Sequence, residues 1–215
     1  MKKLLRFLFV AGSAAVLVSS TYGAEPKRVI VCTVTTGFRH SSIPIAEQTL
    51  QKLADESHAY TIVDFVRQPD VQIPQKPNKP GDLKPDADDK AKARHDAEMK
   101  RYEDAMAKWT PEDDAKVKDA KAKFDAEIKS NLSKLSPENL VAQKIDGVIF
   151  ANTTGDLPLP DRDGFIKWIE DGHAFMGMHA ASDTFHGYPA YLEMLGGEFE
   201  THHAQVPVDL INADQ

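Results

Sequence analysis

Arg28 to Thr35 reads RVIVCTVT, a β-branched apolar run closed by Thr36-Gly37. A half-buried strand alternates apolar with polar residues, whereas this run stays apolar through Val29-Ile30-Val31-Cys32, as a strand covered on both faces of a parallel sheet must. Helical spacing follows it. Ile45, Leu50 and Leu53 recur at helical intervals after Ser41-Ser42, which supply a cap, and Pro44 sits in the first turn. The alternation then repeats. YTIVDF (Tyr60–Phe65) and GVIFAN (Gly147–Asn152) read as the second and third strands, AFMGM (Ala174–Met178) as the fourth and Val206 to Ile211 as the last. Between them, Ser136-Pro137-Glu138-Asn139 caps a short helix ending near Gln143. Asp161 to Asp171 carries Phe165, Trp168 and Ile169 on one face, and Tyr188 to Leu195 is stopped by Gly196-Gly197. Strand and helix in strict alternation predict a doubly wound, flavodoxin-like parallel sheet of the α/β class.

Two stretches stand outside this pattern. Lys2, Lys3 and Arg6 precede an apolar run from Phe7 to Val18, followed by the small residues Ser19, Ser20, Gly23 and Ala24. That is the layout of a signal peptide over residues 1–24, with an apolar region too short for a stable membrane anchor, so export to the periplasm or beyond is expected. The second stretch, residues 68–135, opens with Pro69, Pro74, Pro77, Pro80 and Pro85 and continues as two blocks rich in Ala, Lys, Asp and Glu. Thr110-Pro111-Glu112 starts a second helix, so the stretch reads as an extended linker followed by a helical hairpin. Met99, Tyr102, Met106 and Trp109, with Val117, Phe124 and Ile128 opposite, form its expected seam. The rest of 25–215 is one α/β domain interrupted by this insertion. The hairpin is expected to be a solvated surface without chemistry of its own, the alternative being an arm that docks a protein partner or a second copy of the chain.

Composition removes several functions. The 215 residues hold 26 Lys+Arg against 33 Asp+Glu, a net charge of −7, so no basic footprint for nucleic acid is present. The one Cys, Cys32, lies mid-strand and suits neither a disulfide nor an acyl carrier.

In a doubly wound sheet ligands bind at the carboxyl ends of the strands. There the first loop carries Thr35-Thr36-Gly37-Phe38-Arg39-His40, the third Asn152-Thr153-Thr154-Gly155-Asp156, and the fourth Met178-His179-Ala180-Ala181-Ser182-Asp183-Thr184. Gly177-x-His179-x-Ala181 has the small flanks of a nucleophile elbow, with an imidazole in the central place. Five of the eight His lie beyond Gly172. Imidazoles beside Asp183, Glu198 or Glu200 suit general acid/base work near neutral pH, or a divalent metal such as zinc, with His203 and Glu200 as its candidate ligands. Adjacent residues of an extended segment point to opposite faces, so only one of His202 and His203 enters such a site. His173, at a helix end, is expected to be a dipole partner, and His186, beside Gly187, reads equally as a site residue or a loop histidine.

TTGFRHSSI, DGVIFANTTGD, GMHAASDTF and LGGEFETHHA, in this order, resemble the ThuA-like family, named for trehalose utilisation. The resemblance implies a class I glutamine-amidotransferase-like fold that lacks the amidotransferase cysteine, and a role in carbohydrate metabolism, on trehalose or related, including 3-keto, disaccharides. The matching positions are Phe38, Arg39, His40, Thr154, His179, Ser182, Asp183, Thr184, and His202 or His203. The family pattern has no counterpart of the insertion and continues past Asp214-Gln215, which implies a C-terminally truncated chain.

Two functions follow. In the first, an exported enzyme acts on a sugar or glycoside. Its candidate catalytic residues are His179, His40 and His202, and Phe38, Arg39, Thr154, Ser182, Asp183 and Thr184 hold substrate hydroxyls. In the second, the same loops bind carbohydrate without turnover and the hairpin docks a partner. The expected difference is that His179→Ala abolishes turnover in the first and changes only affinity in the second.

Overall fold

The computed structural model describes residues 25–204 and 207. The signal-peptide segment and, Pro207 apart, the strand expected over 206–211 lie outside the described residues. Four strands, β1 (Lys27–Cys32), β2 (Tyr60–Val66), β3 (Gly147–Ala151) and β4 (Ala174–Met178), form one sheet in the order β2-β1-β3-β4. Every pairing is parallel. The helices are α1 (Ile43–Ser57), α2 (Asp89–Met106), α3 (Pro111–Leu132), α4 (Pro137–Ala142), α5 (Arg162–Glu170) and α6 (Pro189–Leu195). The chain is an α/β protein of flavodoxin type. No helix among the described residues is long and apolar enough to cross a membrane.

The period of two in β1 sorts its side chains between two cores. Val29 and Val31 pack with Leu50 of α1, Ile149 and Ala151. Ile30 and Cys32 face the larger core, with Val148, Phe150, Leu140, Phe165, Trp168 and Tyr191. Phe150 stacks on Phe165 at a centroid distance of 5.7 Å. A sheet apolar on both faces thus takes a helix layer on each. The Cys32 thiol is fully buried and burial pushes it up to about 12, so it is protonated and inert at neutral pH.

Two expectations are corrected. The buried face of α1 is Ile43, Leu50 and Ala54, while Ile45 and Leu53 are 62% and 49% exposed. Ile43, seven residues or two turns before Leu50, starts the stripe, and Ile45, two residues on, falls on the opposite face. The end of the 68–135 stretch is also not solvated as its composition indicates. Ile128 and Leu132 of α3, and Leu135 just after it, are buried in the larger core beside Val34 and Val66. Asn131 Nδ2 donates to the Arg67 carbonyl at 3.0 Å, tying the same helix end to the exit of β2.

Farther out, α2 buries none of its residues, and Met99, Tyr102, Met106 and Trp109 are only half-buried. Local chemistry sustains this part. Asp88 caps α2 by accepting from Ala91 N at 2.7 Å, and Thr110 and Asp113 form a reciprocal capping box on α3. The proline-rich segment lies along the hairpin. Lys76 Nζ reaches Asp114 at 2.8 Å, Trp109 Nε1 donates to the same carboxylate at 2.9 Å, and His95 Nε2 meets the Gly81 carbonyl at 3.1 Å.

Candidate functional site

The chain leaves β1 for β2 on one side and enters β3 on the other, so the order in which strands are added reverses between β1 and β3. At that switch point the two strand ends diverge and open a crevice. Three loops fill its rim and are joined by backbone bonds. Thr36 N donates to the Thr154 carbonyl at 2.9 Å, Gly155 N to the Asp183 carbonyl at 2.7 Å, and Phe185 N to the Gly155 carbonyl at 3.2 Å. Such lacing needs close backbone approach at Gly155. With φ of 78°, a Cβ there would lie 2.4 Å from Thr36 Oγ1 and 2.6 Å from Gly37 N.

Thr154 and Thr184 belong to this framework. Both are buried; Thr154 Oγ1 donates to the Phe38 carbonyl at 2.8 Å, and Thr184 Oγ1 is 2.8 Å from Thr153 Oγ1. Their hydroxyls hold loops to one another, a positioning task. Ser42 is similar: it sits at the N-cap of α1 without capping it, and its Oγ accepts from Asn152 Nδ2 at 2.7 Å. Arg39 turns to the outer side of the first loop. Its guanidinium donates to the Thr33 carbonyl at 3.0 Å and meets Gln68 Oε1 at 3.4 Å, and burial lowers its pKa below the ordinary arginine value.

On the inner side, His40 and His179 meet edge to face with ring centroids 4.5 Å apart, and Phe38 packs on His40 at 4.8 Å. His179 has φ of 50° immediately after β4, the left-handed region that a residue with a Cβ enters at a cost of roughly 1–2 kcal/mol. The tight turn is possible because its neighbours are small: a Cβ on Gly177 would lie 2.8 Å from Leu195 Cδ1 and 3.1 Å from the Ala181 Cβ. Backbone strain therefore aims this imidazole outward at the strand end, as the elbow pattern predicts. The His40 pKa is held below the usual histidine value, first by desolvation and then by the neighbouring His179, with Asp183 opposing. Two imidazoles in contact resist being charged together, so at neutral pH His40 is a neutral base.

Asp183 is joined to His186 and Glu198, two residues whose link to one another no sequence pattern shows. Its Oδ1 lies 2.6 Å from His186 Nε2, His186 Nδ1 lies 3.5 Å from Glu198 Oε1, and Glu198 Oε2 accepts from Gly187 N at 2.7 Å. The result is a carboxylate–imidazole–carboxylate chain. Glu198 and His179, with Ser182 and Leu195, line one open cavity of about 410 Å³. The Asp183-x-x-His186 spacing was a readable sign of the first link; the second depends on Phe199 N bonding the Ser182 carbonyl at 2.9 Å, a contact no local pattern announces.

Glu200, His202 and His203 are exposed; His202 Nδ1 lies 2.8 Å from the His203 carbonyl, and no described bond or ring contact links these three to His40 or His179. Among the described residues no three His, Cys, Asp or Glu side chains gather as metal ligands would, Glu200 and His203 included. His173 lies apart from the site, stacked on Trp168 at 4.0 Å with Nδ1 2.7 Å from the Trp168 carbonyl.

A parallel α/β sheet with polar, histidine-bearing loops at its switch point defines the class; the sequence profile narrows it. Residues 28–215 match the ThuA family, described as trehalose utilisation, and the chain belongs to that family. No curated protein and no solved structure matches it.

Proposed function

We propose that this chain is an exported carbohydrate-active enzyme working on trehalose or a related disaccharide, its 3-keto form included, with His179 as general acid/base and His40 as second base. The observation that carries the reading is the contact between these two imidazoles at the switch point, one strained outward and the other kept neutral. A neutral imidazole accepts a proton from a sugar hydroxyl, or from the carbon beside a keto group, and its partner returns one to the oxygen that needs it. Asp183 and Ser182 supply oriented polar partners for sugar hydroxyls, and Phe38, 69% exposed, gives an aromatic face beside them. Arg39, Thr154 and Thr184 act by fixing the loops. The family description favours a sugar over other hydroxyl compounds. The basic and apolar leader from Lys2 to Val18 supports export.

The test follows consumption of trehalose and 3-keto-trehalose by the purified chain. His179→Ala is expected to lower turnover by about 10²- to 10⁴-fold while sugar affinity, measured by calorimetry, changes little. Turnover equal to that of the unaltered chain would remove His179 from the chemistry. Binding without any consumption by the unaltered chain would replace the enzyme by a binding module.

A further inference from the structure

A second cavity, of about 370 Å³, opens on the same edge of the sheet, and the insertion builds half of it. One wall is the first loop at Gly37, the floor includes Gln68, and the other wall is the foot of α3 with Phe124, Asp125 and Lys129. Its size lies within the range of small-ligand sites. Phe124 is half-buried, packed on the larger core by one part and left to the cavity by the rest. Asp125 and Lys129 are exposed and form no ion pair or hydrogen bond among the described residues. Gln68 is oriented by its oxygen, which accepts from Thr35 N at 2.9 Å, leaving its amide N–H₂ without a described partner.

An aromatic face, a carboxylate, an ammonium and an amide donor around one opening match a ring whose C–H faces are apolar and whose rim is hydroxyls. The position matters equally. Gly37 lines this cavity, and the next residue, Phe38, packs on His40 of the imidazole pair. A two-ring ligand lying over the exposed Phe38 would place one ring at His40 and His179 and the other at the hairpin foot.

We propose that the inserted hairpin, through Phe124, Asp125 and Lys129 of α3, and Gln68 at the exit of β2 form an outer sugar subsite, so that the site selects a disaccharide or longer glycoside over a monosaccharide. The proposal rests on the sugar reading given above. The experiment is calorimetric titration of the full chain with trehalose and with glucose, repeated on the Asp125→Ala, Lys129→Ala double variant. Both positions are exposed, so the double variant keeps the fold, which its circular dichroism melt verifies. The unaltered chain is expected to bind trehalose about tenfold or more tighter than glucose, and the double variant to lose about tenfold for trehalose with glucose little changed. Undiminished trehalose affinity in the double variant overturns the subsite and leaves the sugar reading standing. No binding of either sugar by the unaltered chain overturns both.

Discussion

The sheet edge that carries the histidines and the hairpin that rises beside it are both polar, yet they are held by different physics. At the edge, three loops share backbone hydrogen bonds, buried threonine hydroxyls and a glycine with no room for a side chain. In the hairpin, α2 buries nothing, and the two helices stand on caps and exposed ion pairs such as Arg94 with Glu98 on α2 and Lys123 with Glu127 on α3, each worth well under about 1 kcal/mol. Only where α3 reaches Ile128 and Leu132 do the two regions share a core. The edge is therefore over-determined and suited to precise chemistry. The hairpin is cheap to alter except at its foot, which makes it a place where specificity can change without loss of fold.

Leu132→Ala tests that division most severely. The residue is fully buried in the larger core, and truncation there should destabilise the chain by about 2–5 kcal/mol. Met99→Ala, at a half-buried position of α2, should stay within about 1 kcal/mol. Chemical denaturation of both variants decides it, and equal losses would mean that the whole hairpin folds as part of the core. Gly155→Ala comes next. Its positive φ and the 2.4 Å approach of a Cβ to Thr36 Oγ1 predict a loss of about 2–4 kcal/mol. Turnover should fall with it, because the Thr154 bridge that positions Phe38 and His40 must shift. Stability and activity unchanged in this variant would show that the loops are not rigidly laced. Thr110→Ala removes one side of the capping box and should cost about 1 kcal/mol, seen as loss of helical signal with sugar turnover retained.

These contrasts also explain what was legible beforehand. Period and punctuation placed all four described strands, because a strand covered on both faces must be apolar without interruption and parallel strands must be separated by helices. The elbow around His179 was readable because its steric demand falls on immediate neighbours, Gly177 and Ala181. What composition hid was the depth of α3: Phe124, Ile128 and Leu132 are spaced four apart, but they sit in a run of Ala, Lys and Asp that reads as solvated. The inward turn of Thr154 and the link from His186 to Glu198 were hidden for another reason. Each depends on a partner far along the chain, the Phe38 carbonyl in one case and the strand-like approach of Phe199 to Ser182 in the other.

The smallest expected effect concerns pH, and it bears on the edge alone. His40 has its pKa lowered from 6.5 by desolvation and by His179. The unfolded chain then binds this proton more readily than the folded one. Between the lowered value and 6.5, acidification must draw stability away, and below the lowered value the loss levels off. Above 6.5 the group is neutral in both states and contributes no slope. His40→Gln keeps a polar side chain and removes the titration, so the melting temperature of the unaltered chain should fall relative to the variant as pH drops from 8 toward 5. The difference should be small, since His40 keeps much of its solvent contact. A relative gain in the unaltered chain on acidification would mean that Asp183, not the facing imidazole, governs His40. The pair would then be a carboxylate-held imidazolium rather than a neutral base, and the acid limb of turnover would move to higher pH with it.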